Sequence, residues 1–260
     1  MSYATLKYEV EGEIATLTLN RPDKRNAISA QMLGELLACL DGAERDASRV
    51  LIIAAHGKAF CAGMDLDDLQ RLAKQSPREN LEDSRRMADL FHRIYAFPKP
   101  VVAAVNGAAI AGGCGVAILA DFTLAAPEAK FGFTEVKIGF IPALVSVYLR
   151  RQVGEKCARD LLLSGRVIDA PEAFRLGLVT ELVPAGRLSA RTHELANSLL
   201  SASPTSIART KKLLLQFDEA VLKSEIEQAI RENAEIRATS DFREGLAAFL
   251  EKRAPKWKGH

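Results

Sequence analysis

Two glycine-punctuated turns and one glutamate carry the chemistry this sequence could do. The first turn is Phe60-Cys61-Ala62-Gly63-Met64-Asp65-Leu66. The second is Ala111-Gly112-Gly113-Cys114-Gly115, and Glu135 follows in Phe133-Thr134-Glu135-Val136. Each turn ends an apolar run that reads as a strand and opens a segment that reads as a helix. Such a junction leaves backbone N–H groups unpaired and pointing outward. Two of them aimed at one point form an oxyanion hole, and a carboxylate nearby can move protons. Glu135 sits among Phe131, Phe133, Val136 and Ile138, and an apolar setting disfavours the charged form and raises the pKa. The bland alternatives are a solvent-facing or salt-bridged Glu135, and glycines that only let a helix pack close to a strand. A dinucleotide fingerprint at Gly113-Cys114-Gly115 fails, because Ile118 stands at the third glycine and Glu135 is not at the end of the next strand. Cys61 and Cys114 have no histidine near them in sequence to activate a thiol, so they read as small buried residues.

The elements that must position these groups alternate. Residues 5–10 and 13–20 form a hairpin around Gly12. Asn20 to Asn26 is a polar loop, and Ser29 caps a helix of about sixteen residues with Met32, Leu36, Leu37 and Leu40 on one face. Val50 to Ala55 is an unbroken apolar run, as in a parallel strand covered on both faces. Residues 67–80 are charged, contain Ser76-Pro77 and read as a mobile segment, followed by a helix over 81–96. Strands at 101–106 and 122–125 flank the second turn and its helix. This alternation predicts parallel α/β architecture. Beyond Pro184 only helical periodicity remains, at 187–202, 204–217, 221–238 and 241–253, which divides the chain into an α/β core (1–190) and an α-helical C-terminal region (191–260).

Composition sets bounds. The chain has 260 residues, 48% hydrophobic and 26% charged, with a net charge of +2. That charge is too small, and too dispersed, to argue for nucleic acid. The four cysteines (39, 61, 114, 157) form no C-x-x-C pair and read as reduced thiols. His56, His92, His193 and His260 are scattered, which argues against a metal site. No targeting h-region and no long apolar run stands in the sequence, so a cytoplasmic protein without membrane partners is expected.

In order and spacing, the markers resemble the crotonase (enoyl-CoA hydratase/isomerase) superfamily over nearly the whole chain. They are Asn20-Arg21-Pro22, Asn26-Ala27, Lys58 to Leu66, Asn106-Gly107, Ala111 to Cys114, Asp121, Ala129 to Gly132, Thr134-Glu135-Val136, Ile138-Gly139 and Ala248 to Arg253. The resemblance implies a crotonase-like spiral of ββα repeats with a C-terminal α-helical region that serves trimerisation, as a homotrimer or a dimer of trimers. It implies an acyl-CoA thioester as ligand and no cofactor, coenzyme A being part of the substrate. Carried over, the N–H groups of Met64 and Gly112 would bind the thioester oxygen. Residues 25–27, with Arg25 and Ala27, and the strand end at Ala62 would contact the CoA nucleotide. Asp65 and Leu66 would line the pocket; Asp65 and Asp121 also read as structural, a turn or cap residue and a strand-entry residue. Lys252, with Lys256 and Trp257, would clamp CoA phosphates and adenine, or else form a solvated helix end.

One departure bears on the reaction. Many hydratases of this family carry a second glutamate where this chain has Gly115. A lone Glu135 suffices for a Δ3,Δ2-enoyl-CoA isomerase, which needs a single base. Residues 134–143 instead resemble the single-glutamate methylglutaconyl-CoA hydratases of leucine breakdown. The expectation is therefore a hydratase, with an isomerase as first alternative and a non-catalytic acyl-CoA binder or helical scaffold as the other.

Overall fold

The structure is a computed structural model that describes residues 3–259. Met1, Ser2 and His260, which enter the readings of the N-terminus and of metal ligation, lie outside the described residues. Leu6–Glu11 (β1) and Ile14–Leu19 (β2) form the expected hairpin. Ser29 caps the 16-residue helix Ala30–Arg45 (α1) by accepting a hydrogen bond from Met32 N, and Met32, Leu36 and Leu40 are buried on its inner face. Next come Val50–Ala55 (β3), Ala59–Cys61 (β4), Leu66–Leu72 (α2), Pro77–Tyr95 (α3), Val101–Val105 (β5), Ala108–Ile110 (β6) and Gly112–Ile118 (α4). Phe122–Ala125 (β7), Lys130–Gly132 (β8), Ala143–Ser164 (α5), Val167–Asp169 (β9), Ala170–Arg175 (α6) and Glu181–Leu182 (β10) follow. The α-helices Leu188–Leu200 (α7), Pro204–Gln216 (α8), Glu219–Glu235 (α9) and Ser240–Leu250 (α10) complete the fold.

The strands divide between a six-stranded sheet, ordered β1-β2-β3-β5-β7-β10, and a four-stranded sheet, ordered β4-β6-β8-β9. The pairs β3–β4, β5–β6 and β7–β8 each send their first strand to the large sheet and their second to the small one. A helix closes each unit, which makes the repeated ββα spiral. The middle of the large sheet is covered on both faces, so its strands are apolar throughout rather than alternating. Leu51 and Ile53 of β3 join the main core beside α1 and α3, while Val50 and Ile52 join a second core with Leu188 and Ala196 of α7. At the C-terminal end, α9 packs on α3 and α5 and lends Leu222, Ala229 and Ile230 to the main core.

Residues 67–80 differ from the expected mobile segment: most of them belong to α2 and to the first turn of α3. Ser76 and Glu79 form a reciprocal capping box, with Ser76 N donating to Glu79 Oε2 at 2.8 Å and Glu79 N donating to Ser76 Oγ at 3.3 Å. Pro77 takes the first helical position, where a missing N–H loses no hydrogen bond. The Ser-Pro pair thus begins a helix instead of interrupting one. No helix among the described residues is long and apolar enough to cross a membrane.

Candidate active site

The order of the small sheet brings the candidate groups together. β4, β6 and β8 are parallel neighbours, with Cys61 opposite Ala109 and Ile110 opposite Gly132. Their carboxyl ends therefore lie side by side, and residues 62–64, 111–112 and 133–135 emerge at one edge, where open α/β sheets bind ligands. Gly63 has a φ of +90°, and a β-carbon there would lie 3.0 Å from Ile110 O and 3.7 Å from Gly112 N, so the two turns touch. A β-carbon on Gly113 would come within 2.3 Å of Cys61 O. That glycine lets the N-terminus of α4 sit directly against β4.

Both expected oxyanion donors face this edge. Met64 forms an isolated parallel bridge with Ile28, in which Ile28 N donates to Gly63 O at 2.7 Å and Asp65 N donates to Ile28 O at 3.0 Å. In that pattern the N–H of Met64 itself points to the other side. Gly112 opens α4, so its N–H has no intrahelical acceptor. Neither N–H has a backbone acceptor among the described residues, and both residues line one cavity of about 280 Å3. Ala111 precedes Gly112 at φ 51° and ψ −125°, a conformation that side chains avoid. It is held there by Ala111 N donating to Gly132 O at 2.7 Å and by Gly115 N donating to Ala111 O at 3.1 Å.

Glu135 starts the 3-10 turn Glu135–Ile138 just after β8 and lines the same cavity, with 9% of its surface exposed. Its Oε2 is buried without a hydrogen-bond partner among the described residues. Desolvation pushes its pKa up to about 7; a hydrogen bond from its own backbone N–H is the smaller, opposing influence. Glu135 is the only acidic side chain among the described residues that line this cavity. The packing of Gly115 explains why. A β-carbon there would lie 2.6 Å from Phe91 Cζ, and the Phe91 ring is itself part of the cavity wall. Phe91 fills the room that a second carboxylate at position 115 would need.

Of the other expected site residues, Ala62 and Leu66 line the cavity, whereas Arg25, Ala27, Asp65 and Lys252 do not. Asp65 is buried; its carboxylate accepts a hydrogen bond from Asp67 N as the N-cap of α2 and lies 2.9 Å from Arg21 Nη2. Arg25 is exposed and its carbonyl accepts from Ala62 N at 3.0 Å; Ala27 is buried and its carbonyl accepts from Arg21 Nη1. Lys252 is exposed just beyond α10, with a φ of 53°. Asp121 ties the entry of β5, accepting from Val101 N at 2.7 Å and pairing with Lys211. Cys61 and Cys114 are fully buried, and burial pushes the Cys61 thiol up to about 12 and Cys114 higher still. Neither is a ready nucleophile.

For two groups of residues the role in the site was not read from the sequence. Asn26, wholly buried, donates to His56 O and to Ala59 O, each at 2.9 Å, and accepts from Arg21 N at 2.8 Å. The Asn-Arg-Pro…Asn stretch is therefore a clasp under the first turn. Asn233, Arg237 and Phe249 of the C-terminal helices also reach the cavity wall. Arg237 is 1% exposed and its N–H groups are fully committed. Nη1 lies 2.9 Å from Asp83 Oδ2 and near Asn80, Nη2 donates to Ser84 Oγ and Asn233 Oδ1, and Nε donates to Asn233 O.

The sequence profile described as "Enoyl-CoA hydratase/isomerase" matches residues 9–260. A Thermus thermophilus protein is 45% identical over 248 residues, covering 95% of this chain and 98% of its own. The 2,3-dehydroadipyl-CoA hydratase of Escherichia coli is 36% identical over 248 residues, covering 95% of each. The crystal structure of an enoyl-CoA hydratase/isomerase from Xanthobacter autotrophicus superposes with a TM-score of 0.89 at 30% identity, covering 97% of this chain and 98% of that one.

Proposed function

The chain belongs to the enoyl-CoA hydratase/isomerase family, and on that premise we propose that it adds water across the C2–C3 double bond of a 2-enoyl-CoA thioester. The observation that carries this reading is Glu135, one desolvated carboxyl with a partnerless oxygen, in a cavity that also holds the Met64 and Gly112 N–H groups. The thioester oxygen sits on the two N–H donors. Ionised Glu135 takes a proton from water as the water oxygen bonds to C3. The π electrons move to an enolate whose charge rests on the thioester oxygen, where preformed donors act most strongly. Protonated Glu135 then gives its proton to C2. A carboxyl titrating near 7 is suited to both steps. No cofactor enters this scheme beyond the coenzyme A of the substrate.

The Phe91 ring against Gly115 favours a second reading, a Δ3,Δ2-enoyl-CoA isomerase in which Glu135 moves a proton from C2 to C4. A non-catalytic acyl-CoA binder or scaffold leaves the buried Glu135 without use. The purified protein is expected to bleach the conjugated thioester absorbance of crotonyl-CoA. A rise with a 3-enoyl-CoA and no loss with crotonyl-CoA would transfer the assignment to isomerase, and neither change would end both. The finer proposal of a methylglutaconyl-type substrate places a carboxylate in the cavity. There the only cation among the described lining residues is Arg237, already matched by Asp83. An uncharged 2-enoyl-CoA is accordingly expected to show the higher kcat/KM when the two substrates compete.

The same proposal includes a homotrimer or dimer of trimers in the cytoplasm. What supports assembly is α8, which buries no residue and is followed by Phe217, while Leu213, Leu214 and Phe217 are 52%, 61% and 73% exposed. The four cysteines stand unpaired, in keeping with a reducing compartment. Light scattering should give a multiple of three chain masses, and Phe217→Asp should shift it towards one. A monomeric wild type would remove the assembly from the proposal.

A further inference from the structure

The turn that carries Glu135 is braced from outside the α/β core. Gly139, at φ 67°, ends the turn Glu135–Ile138, and Phe140 N then donates back to Glu135 O at 3.0 Å. A β-carbon on Gly139 would lie 2.3 Å from Asp241 O, and one on Gly245 would lie 2.3 Å from Ile138 O. The backbones of the turn and of α10 therefore touch, each side contributing a glycine. Phe140 is buried, with its ring centroid 5.3 Å from that of Phe242 and 5.8 Å from Arg237 Cζ. Arg237 lies in the 3-10 turn Ile236–Ala238, which joins α9 to α10. Its guanidinium reaches Asp83, Asn80 and Ser84 of α3. The same helix supplies Phe91 to the cavity wall and Met87 to the neighbourhood of Gly112.

We infer that Arg237 is a positioning residue: through Phe140 it fixes the turn bearing Glu135 relative to α3, and so relative to the oxyanion donors. The inference rests on Glu135 as the proton carrier of the proposed function, in hydratase or isomerase alike. Stability alone accounts poorly for Arg237, because apolar side chains of similar volume often replace a buried ion pair without loss. What the planar fork adds is direction. Its N–H groups are all spent in the plane, on α3 and on Asn233 of α9, and they set one placement of these helices. The face of the fork is left to the Phe140 ring. The bond from Phe140 N to Glu135 O passes that placement to the carboxyl-bearing residue. Met64 packs against the small core that holds Phe140, Phe242 and Leu246, so the first donor shares the brace.

Two variants test this. Asp83→Asn with Arg237→Gln removes the pair together and leaves no lone buried charge. Phe140→Leu keeps the pair and removes the ring. The Glu135 carboxyl is titrated without substrate by 13C NMR, its resonance assigned by its loss in Glu135→Gln. Arg237 is the only cation among the described residues lining the cavity, and the buried Cys114 thiol stays protonated. In both variants Glu135 is expected to hold its proton about tenfold less tightly, because water reaches a loosened turn. In the double variant kcat should fall about tenfold or more, with KM within about threefold of wild type. A lower unfolding midpoint with unchanged titration or unchanged kcat makes the pair merely structural and overturns the inference. A proton held more tightly overturns it too. If the double variant does not fold, the titration of Phe140→Leu decides alone. If the wild type turns over neither crotonyl-CoA nor a 3-enoyl-CoA, the proposed function falls, and the titrations still decide whether Arg237 places Glu135.

Discussion

Glu135→Gln is expected to lower kcat about 10²–10⁴-fold while leaving the affinity for acyl-CoA nearly unchanged. The amide keeps the size of the side chain and loses only the proton transfer. In the wild type, kcat/KM should rise with pH through an apparent pKa near 7, since the carboxyl must be ionised to act as base. The variant should lack that rise. Stability should move the opposite way. The folded-state pKa of about 7 lies above the ordinary glutamate value of 4.5, so the folded protein holds this proton more tightly than the unfolded chain. The resulting stabilisation is present in acid and is lost as pH rises from about 4.5 to about 7. Above pH 7 the buried charge costs up to about 3 kcal/mol. Urea unfolding should therefore find Glu135→Gln more stable than wild type at pH 8, with the difference closing near pH 5. A variant with wild-type kcat would place Glu135 outside the chemistry, and one less stable at pH 8 would overturn the raised pKa.

Much of this arrangement was legible because glycine and periodicity announce backbone geometry. Ser29 predicted the start of α1, the unbroken apolar run predicted β3, and β7 falls on the four residues expected for it. The two turns were visible because Gly63 and Gly113 each permit a close approach that another residue would block. Other features leave weaker traces. Ser76-Pro77 is written the same way whether it breaks a helix or caps one, and only Glu79, three residues on, distinguishes the two. α5 was missed; Gly154 interrupts it with a non-helical backbone, so no single helical period runs through residues 143–164. Ala111 gives no sign of its positive φ, because alanine seldom adopts one. Gly115 reads as a missing carboxylate, but its cause is Phe91, a residue of α3 that only the packed fold brings to it. Arg237 comes from a helix far along the chain, and nothing local marks it as part of the cavity wall.

Gly112→Val is expected to lower kcat/KM about 10²–10³-fold without unfolding the protein, the size seen when one oxyanion donor is lost. A β-carbon at Gly112 meets only Met87 Cε, at 3.0 Å. That atom ends a flexible side chain and can move aside, so the added bulk is accommodated by the fold and intrudes on the cavity next to the N–H. Gly113→Ala, one residue on, should behave differently. Its β-carbon would press on Cys61 O at 2.3 Å, a backbone atom in β4 that cannot yield without separating the strand from α4. Overpacking of this kind typically costs about 1–3 kcal/mol, and here it would also pull the two turns apart. Gly112→Val should thus lose rate at constant unfolding midpoint, while Gly113→Ala loses both together. Thermal melts beside steady-state kinetics separate the two outcomes. Wild-type kinetics in Gly112→Val would remove the oxyanion assignment. A stable, active Gly113→Ala would show that the close contact of β4 and α4 does not hold the donors in place. The contrast matters because a backbone N–H cannot be deleted by substitution, so its role has to be read from adjacent positions that differ in what their side chains would strike.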